Sequence, residues 1–209
     1  MPKDTISQGI EIEAKFPGGN TEFEAIVAWL RNEGGFAVEP LRKIHRVHIY
    51  FDAGDLLKKA GCRLRCIIAP GEWVRYDFKA DDPTGGRETL EFSQKATNPL
   101  QIANVVTNFC ARLPNGGWSE ALEASRDGMS ICLAMTGTHV KAIASRNSLE
   151  LELSWDVLSV IDSGKLLSEI EVELLSGSSE DFEICIRKLQ SNLKLAPEPR
   201  SKLDRLMEK

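Results

Sequence analysis

The sequence predicts an α+β fold, mainly antiparallel β, in which the sheet closes into a barrel and helices pack on its outside. Several segments alternate strictly between apolar and charged residues, as strands do when one face is covered. Segments with helical spacing separate groups of these strands and could cover their apolar faces. The charged faces also sort by sign, which favours a closed sheet with an inward charged face over an open sheet whose polar face meets water.

The N-terminal half of the chain supplies five of the predicted strands and one helix. Residues 9–16 alternate between apolar positions and the charged side chains of Glu11, Glu13 and Lys15, which predicts the first strand. A capping pattern at residues 21–24 then opens a helix with apolar residues at helical spacing up to about residue 33. The same alternation predicts strands over residues 45–52, 61–68, 73–79 and 87–93, the last two joined by a turn-rich segment.

The C-terminal half supplies three more strands and three helices. Asn98 and Pro99 can begin a helix that we expect to end at Pro114. Residues 128–145 are predicted as a strand, although Ala and Met also allow a helix there. Strict alternation predicts strands over residues 149–156 and 169–174, and helical spacing predicts helices over residues 179–193 and after Pro199. We expect residues 1–209 to form a single domain, whose outer helices and strand edges could support a homodimer.

The composition argues against several functional classes. A net charge of −5 is unusual for a nucleic-acid-binding protein, which normally carries a basic excess. The first nine residues lack the segments of a leader and no run of eighteen apolar residues occurs, so we expect a soluble, cytoplasmic protein without a membrane partner. The five cysteines lack paired metal-ligand spacing and are predicted to be reduced packing residues. A zinc site on Cys62 and Cys66 would need further ligands.

The charged strand faces indicate a ligand that carries both signs of charge. The acidic faces carry Glu11, Glu13, Glu169, Glu171 and Glu173, and the basic faces carry Arg63, Arg65, Lys79 and Arg87. Like charges on neighbouring positions of one face repel unless a counter-ion lies among them. Clustered carboxylates suit Mg²⁺ or Mn²⁺, and Arg and Lys suit phosphate oxygens, so a metal–polyphosphate complex would satisfy both groups. From these residues alone, ordinary solvated strand faces remain an equal alternative.

Short motifs follow one another along the whole chain. They are Glu11-x-Glu13-x-Lys15, Tyr50-Phe51-Asp52, residues 61–65, Lys79, Arg87 with Glu91, residues 169–174 with Ser176-Gly177, and Ser201-Lys202. In these motifs the chain resembles the CYTH superfamily, the triphosphate tunnel metalloenzymes, and residues 174–177 and 201–205 are most similar to its bacterial inorganic triphosphatase-like branch. The resemblance implies an eight-stranded antiparallel barrel, or tunnel, that uses Mg²⁺ or Mn²⁺.

The resemblance also implies roles for individual residues. Those expected to bind the triphosphate are Lys15, Arg63, Arg65, Lys79, Arg87, Lys141 and Lys202. Those expected to bind the metal are Glu11, Glu13, Glu169 and Glu171. Lys15 is also an expected catalytic residue, together with Glu173 and Asp156, which would orient the attacking water. For Glu173 and Asp156, a cross-strand salt bridge is the structural alternative.

The activity implied by the resemblance is metal-dependent hydrolysis of a small-molecule triphosphate, either inorganic triphosphate or a related organic triphosphate. Water would attack the terminal phosphoryl group. Three alternatives remain: a class IV adenylyl cyclase that makes cyclic AMP from ATP, a thiamine triphosphatase, and a non-catalytic polyphosphate- or nucleotide-binding protein. This chemistry asks for carboxylates and cations, so His45, His48 and His139 are expected to be structural.

Two positions depart from the family pattern in ways that bear on activity. Thr89 stands two residues after Arg87, where a Glu is common, and leaves Glu91 as the nearest acidic residue of that strand. Ile143 stands two residues after Lys141, where a second basic residue is common. The first departure predicts the loss of one acidic contact, and the second predicts weaker binding of the triphosphate. Together they keep the non-catalytic alternative open.

Overall fold

The protein is described by a computed structural model, which covers residues 6–81 and 88–207. In this part of the chain nine strands and six helices follow one another. The strands are β1 (Ile6–Pro17), β2 (Ala37–Val38), β3 (Arg42–Asp52), β4 (Cys62–Ala69), β5 (Trp73–Asp81), β6 (Glu88–Ala96), β7 (Ser130–Arg146), β8 (Leu149–Val160) and β9 (Leu166–Ser176). The helices are α1 (Asn20–Asn32), α2 (Leu56–Lys59), α3 (Ile102–Cys110), α4 (Gly117–Ser125), α5 (Ser179–Leu193) and α6 (Lys202–Met207).

The nine strands belong to one sheet, in the order β2-β7-β3-β4-β5-β6-β1-β9-β8. A further pairing of β7 with β8 closes eight of them into a ring and leaves β2 as an extra strand beside β7. Among the described residues, the strand pairs with a defined register run antiparallel. The predicted α+β fold with an eight-stranded closed antiparallel barrel is confirmed.

The backbone contacts divide the chain into two compact units. Of the described residues, the first unit contains 6–11, 46–81, 88–136 and 160–162. The second unit contains residues 12–45, 137–159 and 163–207. The expectation that residues 1–209 act as a single domain stays a prediction.

Each unit has an apolar core between its helices and its strands. In the second unit, Phe23 of α1 and Phe182 of α5 pack with apolar residues of β1, β8 and β9. In the first unit, Phe109 of α3 and Leu122 of α4 pack with apolar residues of β4, β5 and β6. Helices therefore cover the apolar strand faces, as the alternation predicts, and the charged side chains lie on the opposite faces of the same strands.

Several elements differ from the sequence-based prediction. β2 has two residues and α2 has four, which is too short for a periodic pattern to develop. α4 occupies a segment for which the sequence predicts no element. α3 begins at Ile102 rather than near Asn98, because the N–H of Leu100 donates to Oδ1 of Asn98 at 2.8 Å and this segment forms a turn. Residues 128–145, which were open to a helical alternative, form strand β7 as predicted.

The thiols and the helices bear on two further expectations. All five cysteines are free, and Cys62, Cys66 and Cys185 are buried. Burial raises the pKa of the Cys66 thiol to about 11, as expected for a packing residue. Among residues 6–81 and 88–207, no helix combines the length and the apolar character needed to cross a membrane.

Candidate functional site

The register of β4 and β5 places charged side chains on a common face of the first unit. Arg63 lies opposite Lys79, and Arg65 lies opposite Asp77. Side chains two residues apart on a strand share a face, so these pairs are neighbours. We define the first cluster as Glu11, Arg63, Arg65, Arg75, Asp77, Lys79, Asp81, Glu91 and Ser93, all of which belong to the first unit.

Asp77 is at the centre of the first cluster and is 0% exposed. Nε of Arg65 donates to its Oδ2 at 3.0 Å. Arg75 contacts both oxygens: Nη2 donates to Oδ2 at 3.0 Å, and Nε lies 2.8 Å from Oδ1. The hydroxyl of Ser93 donates to Oδ1 at 2.7 Å. One buried carboxylate thus fixes the positions of two guanidinium groups.

The partners of Asp77 keep it ionised. Burial alone would raise the pKa of Asp77, because it penalises the charged form, but the positive charges of Arg65, Arg75 and Lys79 outweigh burial and lower the pKa to about 2. Burial also opposes the charge of Arg65, yet the negative charge of Asp77 raises the pKa of this guanidinium above its ordinary value. Both groups therefore stay charged at physiological pH.

The remaining cations of the first cluster are also paired with carboxylates. Lys79 forms an ion pair with Glu11. Nη1 of Arg63 donates to Oδ1 of Asp81 at 2.6 Å. In the register of β5 and β6, Asp81 lies opposite Thr89, the position where the family pattern commonly has a Glu. Asp81 of β5 therefore supplies a carboxylate to Arg63, directly opposite Thr89, where the family pattern commonly has a Glu and this chain does not.

The second unit has its own charged face on β1, β8 and β9. Glu13 lies opposite Glu173, which lies opposite Glu152, so three carboxylates form one row across three strands. Like charges that face one another across strands repel unless cations lie nearby. We define the second cluster as Glu13, Lys15, His139, Lys141, Glu152, Asp156, Glu169, Glu171, Glu173, Lys202 and Arg205, all of which belong to the second unit.

Lys202 of α6 is at the centre of the second cluster and is only 6% exposed. Its Nζ lies 2.7 Å from a carboxylate oxygen of Glu171, 2.7 Å from Oε1 of Glu169 and 3.1 Å from Oδ2 of Asp156. Arg205, one helical turn further along α6, forms an ion pair with Oε2 of Glu169. One ammonium group thus lies among three carboxylates.

The charge of Lys202 also controls the ionisation of Glu171. Burial would raise the pKa of Glu171, and the negative charge of Asp156 acts in the same direction. The positive charges of Lys202 and Lys15 outweigh both effects and lower the pKa of Glu171 to about 2. Glu171 is therefore an ionised oxygen donor at neutral pH.

Three further pairs belong to the second cluster. Nζ of Lys141 donates to Oε2 of Glu152 at 2.6 Å, and Lys15 forms an ion pair with Glu13. Nδ1 of His139 lies 2.8 Å from Oδ1 of Asp156. Since an ionised carboxylate only accepts hydrogen bonds, Nδ1 of His139 carries the proton when Asp156 is charged. The histidine that the sequence predicts to be structural thus contacts a predicted catalytic residue.

The predicted site residues divide between the two clusters. The first cluster contains Glu11, Arg63, Arg65 and Lys79. The second cluster contains Glu13, Lys15, Lys141, Asp156, Glu169, Glu171, Glu173 and Lys202. Arg87 lies outside the described residues. Many of these charged side chains are buried, among them Glu13, Arg63, Lys79, Asp156, Glu169 and Lys202, so they do not form ordinary solvated strand faces.

The predicted metal ligands are each paired with a cation. In residues 6–81 and 88–207, no three His, Cys, Asp or Glu side chains are arranged as a group that could hold a metal ion. The donor chemistry nevertheless fits a hard divalent cation, because Asp156, Glu169 and Glu171 surround a single positive charge. Glu169 is fully buried, and its Oε1 has the ammonium group of Lys202 at 2.7 Å. The identity of the metal ligands stays a prediction.

Sequence reasoning missed several members of the clusters. Arg75, Asp77 and Lys79 are two residues apart on one strand, so their side chains share a face and a period of two identifies them. Arg205 follows Lys202 by three residues, which places both on one side of a helix. Glu152 alternates with Leu151 and Leu153 and so shares a strand face with Asp156, but its partners depend on which residues lie opposite it in the sheet.

The chain shares its fold with solved structures of low sequence identity. A candidate adenylate cyclase from Bacillus halodurans matches with a TM-score of 0.57 at 21% identity, over 96% of this chain and 99% of that one. A candidate adenylyl cyclase from Hippeastrum, described as having a dominant triphosphatase activity, matches with a TM-score of 0.60 at 16% identity, over 93% of each chain. A conserved hypothetical protein from Pyrococcus furiosus matches with a TM-score of 0.56 at 18% identity, over 93% of this chain and 98% of that one. No protein-family model and no curated protein matches the sequence.

Proposed function

We propose that this protein is a divalent-metal-dependent phosphohydrolase that acts on a small-molecule triphosphate, either inorganic triphosphate or a related organic triphosphate. The observation that carries this proposal is the burial of opposite charges in two clusters, one centred on Asp77 and one on Lys202. Removing charged groups from water costs several kcal/mol per ion, on the order of the stability of a whole domain. The retention of so many buried charges therefore indicates a binding function. A metal–triphosphate complex can pair with both sets, because the metal binds carboxylates and the phosphates bind cations.

The basic residues would bind the triphosphate. Those in the described part of the chain are Lys15, Arg63, Arg65, Lys79, Lys141 and Lys202, and Arg87 is assigned by sequence alone. Arginine suits phosphate because its planar guanidinium can donate two parallel hydrogen bonds, and the position of Arg65 is fixed by Asp77 at 3.0 Å. A phosphate oxygen would replace a carboxylate as the partner of each lysine ammonium group.

The acidic residues would bind the metal. We assign Glu11, Glu13, Glu169 and Glu171 to this role, and Mg²⁺ or Mn²⁺ as the ion, because these carboxylates are hard oxygen donors. When bound, the metal would neutralise charge on the phosphate oxygens as a Lewis acid. The lowered pKa of Glu171 keeps this donor in its ionised form at neutral pH.

Hydrolysis needs a positioned water molecule and an acceptor for its proton. Water would form a new bond to the terminal phosphorus, the bond from that phosphorus to the bridging oxygen would break, and the products would be orthophosphate and a diphosphate. We assign Asp156 and Glu173 to orient the water and receive its proton, and Lys15 to stabilise negative charge on the transferred group. His139, 2.8 Å from Asp156, would hold that carboxylate in position.

A class IV adenylyl cyclase is the second candidate function. The structure from Bacillus halodurans that shares the fold is a candidate adenylate cyclase, whereas the Hippeastrum protein has a dominant triphosphatase activity. Both reactions need a bound triphosphate, but the cyclase uses the ribose 3′-hydroxyl as nucleophile instead of water. The five free thiols fit a reducing compartment, and we place the proposed activity in the cytoplasm.

The test is a substrate panel scored for two products. Purified protein with Mg²⁺ or Mn²⁺ is given tripolyphosphate, ATP or thiamine triphosphate, and orthophosphate and cyclic AMP are both measured. We expect orthophosphate from at least one substrate and no cyclic AMP. Lys79→Met should lower the rate by roughly 100-fold, as losing a charge-assisted contact in a closed site does. Lys59→Met, on an exposed position of the same unit, should leave the rate unchanged.

The outcomes separate the candidate functions. Cyclic AMP and diphosphate without orthophosphate would replace the hydrolase with the cyclase. Retention of bound tripolyphosphate with neither product would favour the non-catalytic binding protein, and neither binding nor turnover would remove all three.

A further inference from the structure

Lys202 lies where a metal ion would compete with it. Its ammonium group is within 3.1 Å of three carboxylates, those of Asp156, Glu169 and Glu171. Two of these, Glu169 and Glu171, are the metal ligands of the proposed function. A divalent cation in contact with the same oxygens would repel the ammonium group strongly, since little water is present to screen the two charges. Lys202 and the metal therefore cannot occupy this position together.

The element that carries Lys202 is held mainly by polar contacts. α6 has six residues, and Leu203 is the one buried apolar side chain among those described in it. At its start, the hydroxyl of Ser201 accepts from the N–H of Asp204 at 3.2 Å. At its end, Nζ of Lys165 donates to the carbonyl of Arg205 at 3.1 Å. Because α6 is only six residues long and has one buried apolar side chain, a change in its ionic partners can alter its position.

We propose that Lys202 is a tethered counter-ion that occupies the cation position among Asp156, Glu169 and Glu171, and that it must leave this position before a divalent metal binds there. This inference rests on the proposed function, because it takes Glu169 and Glu171 as metal ligands. Oε1 of Glu169 is buried and lies 2.7 Å from the ammonium group, so a cation that displaced this group would take its place as the partner of the oxygen. Arg205 compensates the other oxygen of Glu169 during the exchange.

The exchange couples the metal to the triphosphate. Once a metal is bound among the carboxylates, they no longer need the ammonium group of Lys202. A phosphate oxygen can then become the new partner of this ammonium group. Each ligand thus favours the state in which Lys202 has left the carboxylates, so each increases the affinity for the other. The metal alone binds weakly, because it must displace the ammonium group without offering it a new partner.

Binding of Mn²⁺ in the absence of any phosphate tests the exchange directly. Free Mn²⁺ is measured by electron paramagnetic resonance during titration of the wild type, Lys202→Met and Lys188→Met. Lys202→Met keeps the apolar stem and removes the charge, and we expect it to bind Mn²⁺ roughly 5- to 150-fold more tightly than the wild type, the usual range of a coupling between linked sites. Lys188, exposed on α5 of the same unit, is the matched control and should leave the affinity unchanged.

A second measurement uses the wild type alone and does not depend on the folding of a variant. An amine-reactive acylating reagent is applied with and without saturating Mn²⁺, and the modified lysines are identified by mass spectrometry. Modification of Lys202 should increase severalfold with Mn²⁺, relative to the exposed Lys188. Equal or weaker Mn²⁺ binding by Lys202→Met, no measurable Mn²⁺ binding by either protein, or unchanged reactivity of Lys202 would each overturn the exchange.

The exchange and the proposed function can fail separately. If the wild type releases orthophosphate while Lys202→Met shows no tighter Mn²⁺ binding, the hydrolase stands and the exchange is wrong. If Lys202→Met binds Mn²⁺ more tightly while the wild type hydrolyses none of the three triphosphates, the exchange stands and the hydrolase is wrong.

Discussion

The two clusters are built in opposite ways around one buried charge. In the first cluster a carboxylate, Asp77, is at the centre, and Arg65 and Arg75 donate to it. In the second cluster an ammonium group, Lys202, is at the centre, and three carboxylates surround it. The first cluster contains as many carboxylates as cations, apart from Ser93, whereas the second contains six carboxylates and four cations. In the proposed function, the first centre would organise groups that bind the triphosphate, and the second would organise groups that bind the metal.

The two central charges also differ in how firmly they are held. Asp77 lies on β5, which is paired with β4 on one side and β6 on the other. Lys202 lies on α6, a helix of six residues. A residue in the middle of a sheet cannot move without breaking hydrogen bonds to the neighbouring strands, whereas a residue at the end of a short helix can. We infer that the first cluster is a fixed scaffold and that the second exchanges its central charge for a ligand.

The largest effect should come from removing the fixed charge. Asp77→Asn removes the buried carboxylate that the guanidinium groups of Arg65 and Arg75 contact, so we expect the free energy of unfolding to fall by about 3–5 kcal/mol, measured by urea unfolding. Asp162→Asn, on an exposed position of the same unit, should change it by less than about 0.5 kcal/mol. A loss of under about 1 kcal/mol for Asp77→Asn would mean that the first cluster is no scaffold.

Removing the exchangeable charge should cost less and should be reversible by metal. In Lys202→Met, Asp156 keeps His139 as a partner and Glu169 keeps Arg205, so we expect a smaller loss of about 1–3 kcal/mol in the free energy of unfolding. Saturating Mn²⁺ should recover about 2.7 kcal/mol at 100 times its dissociation constant, because it binds only the folded protein. At that same Mn²⁺ concentration, Asp77→Asn should gain no more than the wild type, which we expect to bind Mn²⁺ more weakly than Lys202→Met. Equal recovery in both variants would erase the contrast between the clusters.

A smaller effect should follow when the scaffold keeps its charge but loses its geometry. Arg65→Lys retains a positive charge opposite Asp77 but removes the Nε contact and the planar group that can bind phosphate through two hydrogen bonds. We expect the affinity for tripolyphosphate, measured by isothermal titration calorimetry, to fall about tenfold, equivalent to about 1.4 kcal/mol. Arg31→Lys, at an exposed position of α1, is the control and should leave this affinity unchanged. An unchanged affinity would place the triphosphate away from Arg65.

The strands of both clusters could be predicted from sequence because their signal is local. A period of two identifies a strand and assigns each charged residue to a face, and this was sufficient for β1, β4, β5, β8 and β9. β2 and α2 were missed because two and four residues contain only about one period each, so no repeat can be recognised. The sorting of the charged faces by sign indicated a closed sheet, but it did not show that β7 and β8 close it, since pairing between strands leaves no mark on either sequence alone.

The sequence identified many residues of the two clusters but not which of these residues contact one another. Arg65 and Glu171 were recognised as site residues from their strand faces, but the partner of Arg65 depends on the register of β4 against β5, which places Asp77 opposite it. The contacts of Lys202 depend on where α6 lies against the second unit, which a six-residue helix does not encode in its own pattern. Sequence therefore predicted the charges, and the structure was needed to see which charge is at each centre.

The smallest effect we expect is a pH dependence of the contribution that Asp77 makes to the free energy of unfolding. The pKa of Asp77 is lowered from its ordinary value of 3.8 to about 2, because the charges of its cationic partners outweigh its burial. A depressed pKa means that the contribution of Asp77 is fully present above pH 4 and is lost as the pH falls towards 2. The difference in unfolding free energy between the wild type and Asp77→Asn should therefore be constant from neutral pH down to about pH 5 and should shrink below pH 4.

Because other carboxylates also titrate there, the difference between the two proteins is the quantity to measure, not the stability of either. A difference that already shrinks between pH 7 and pH 5 would indicate that Asp77 is not held in its ionised form by these cations.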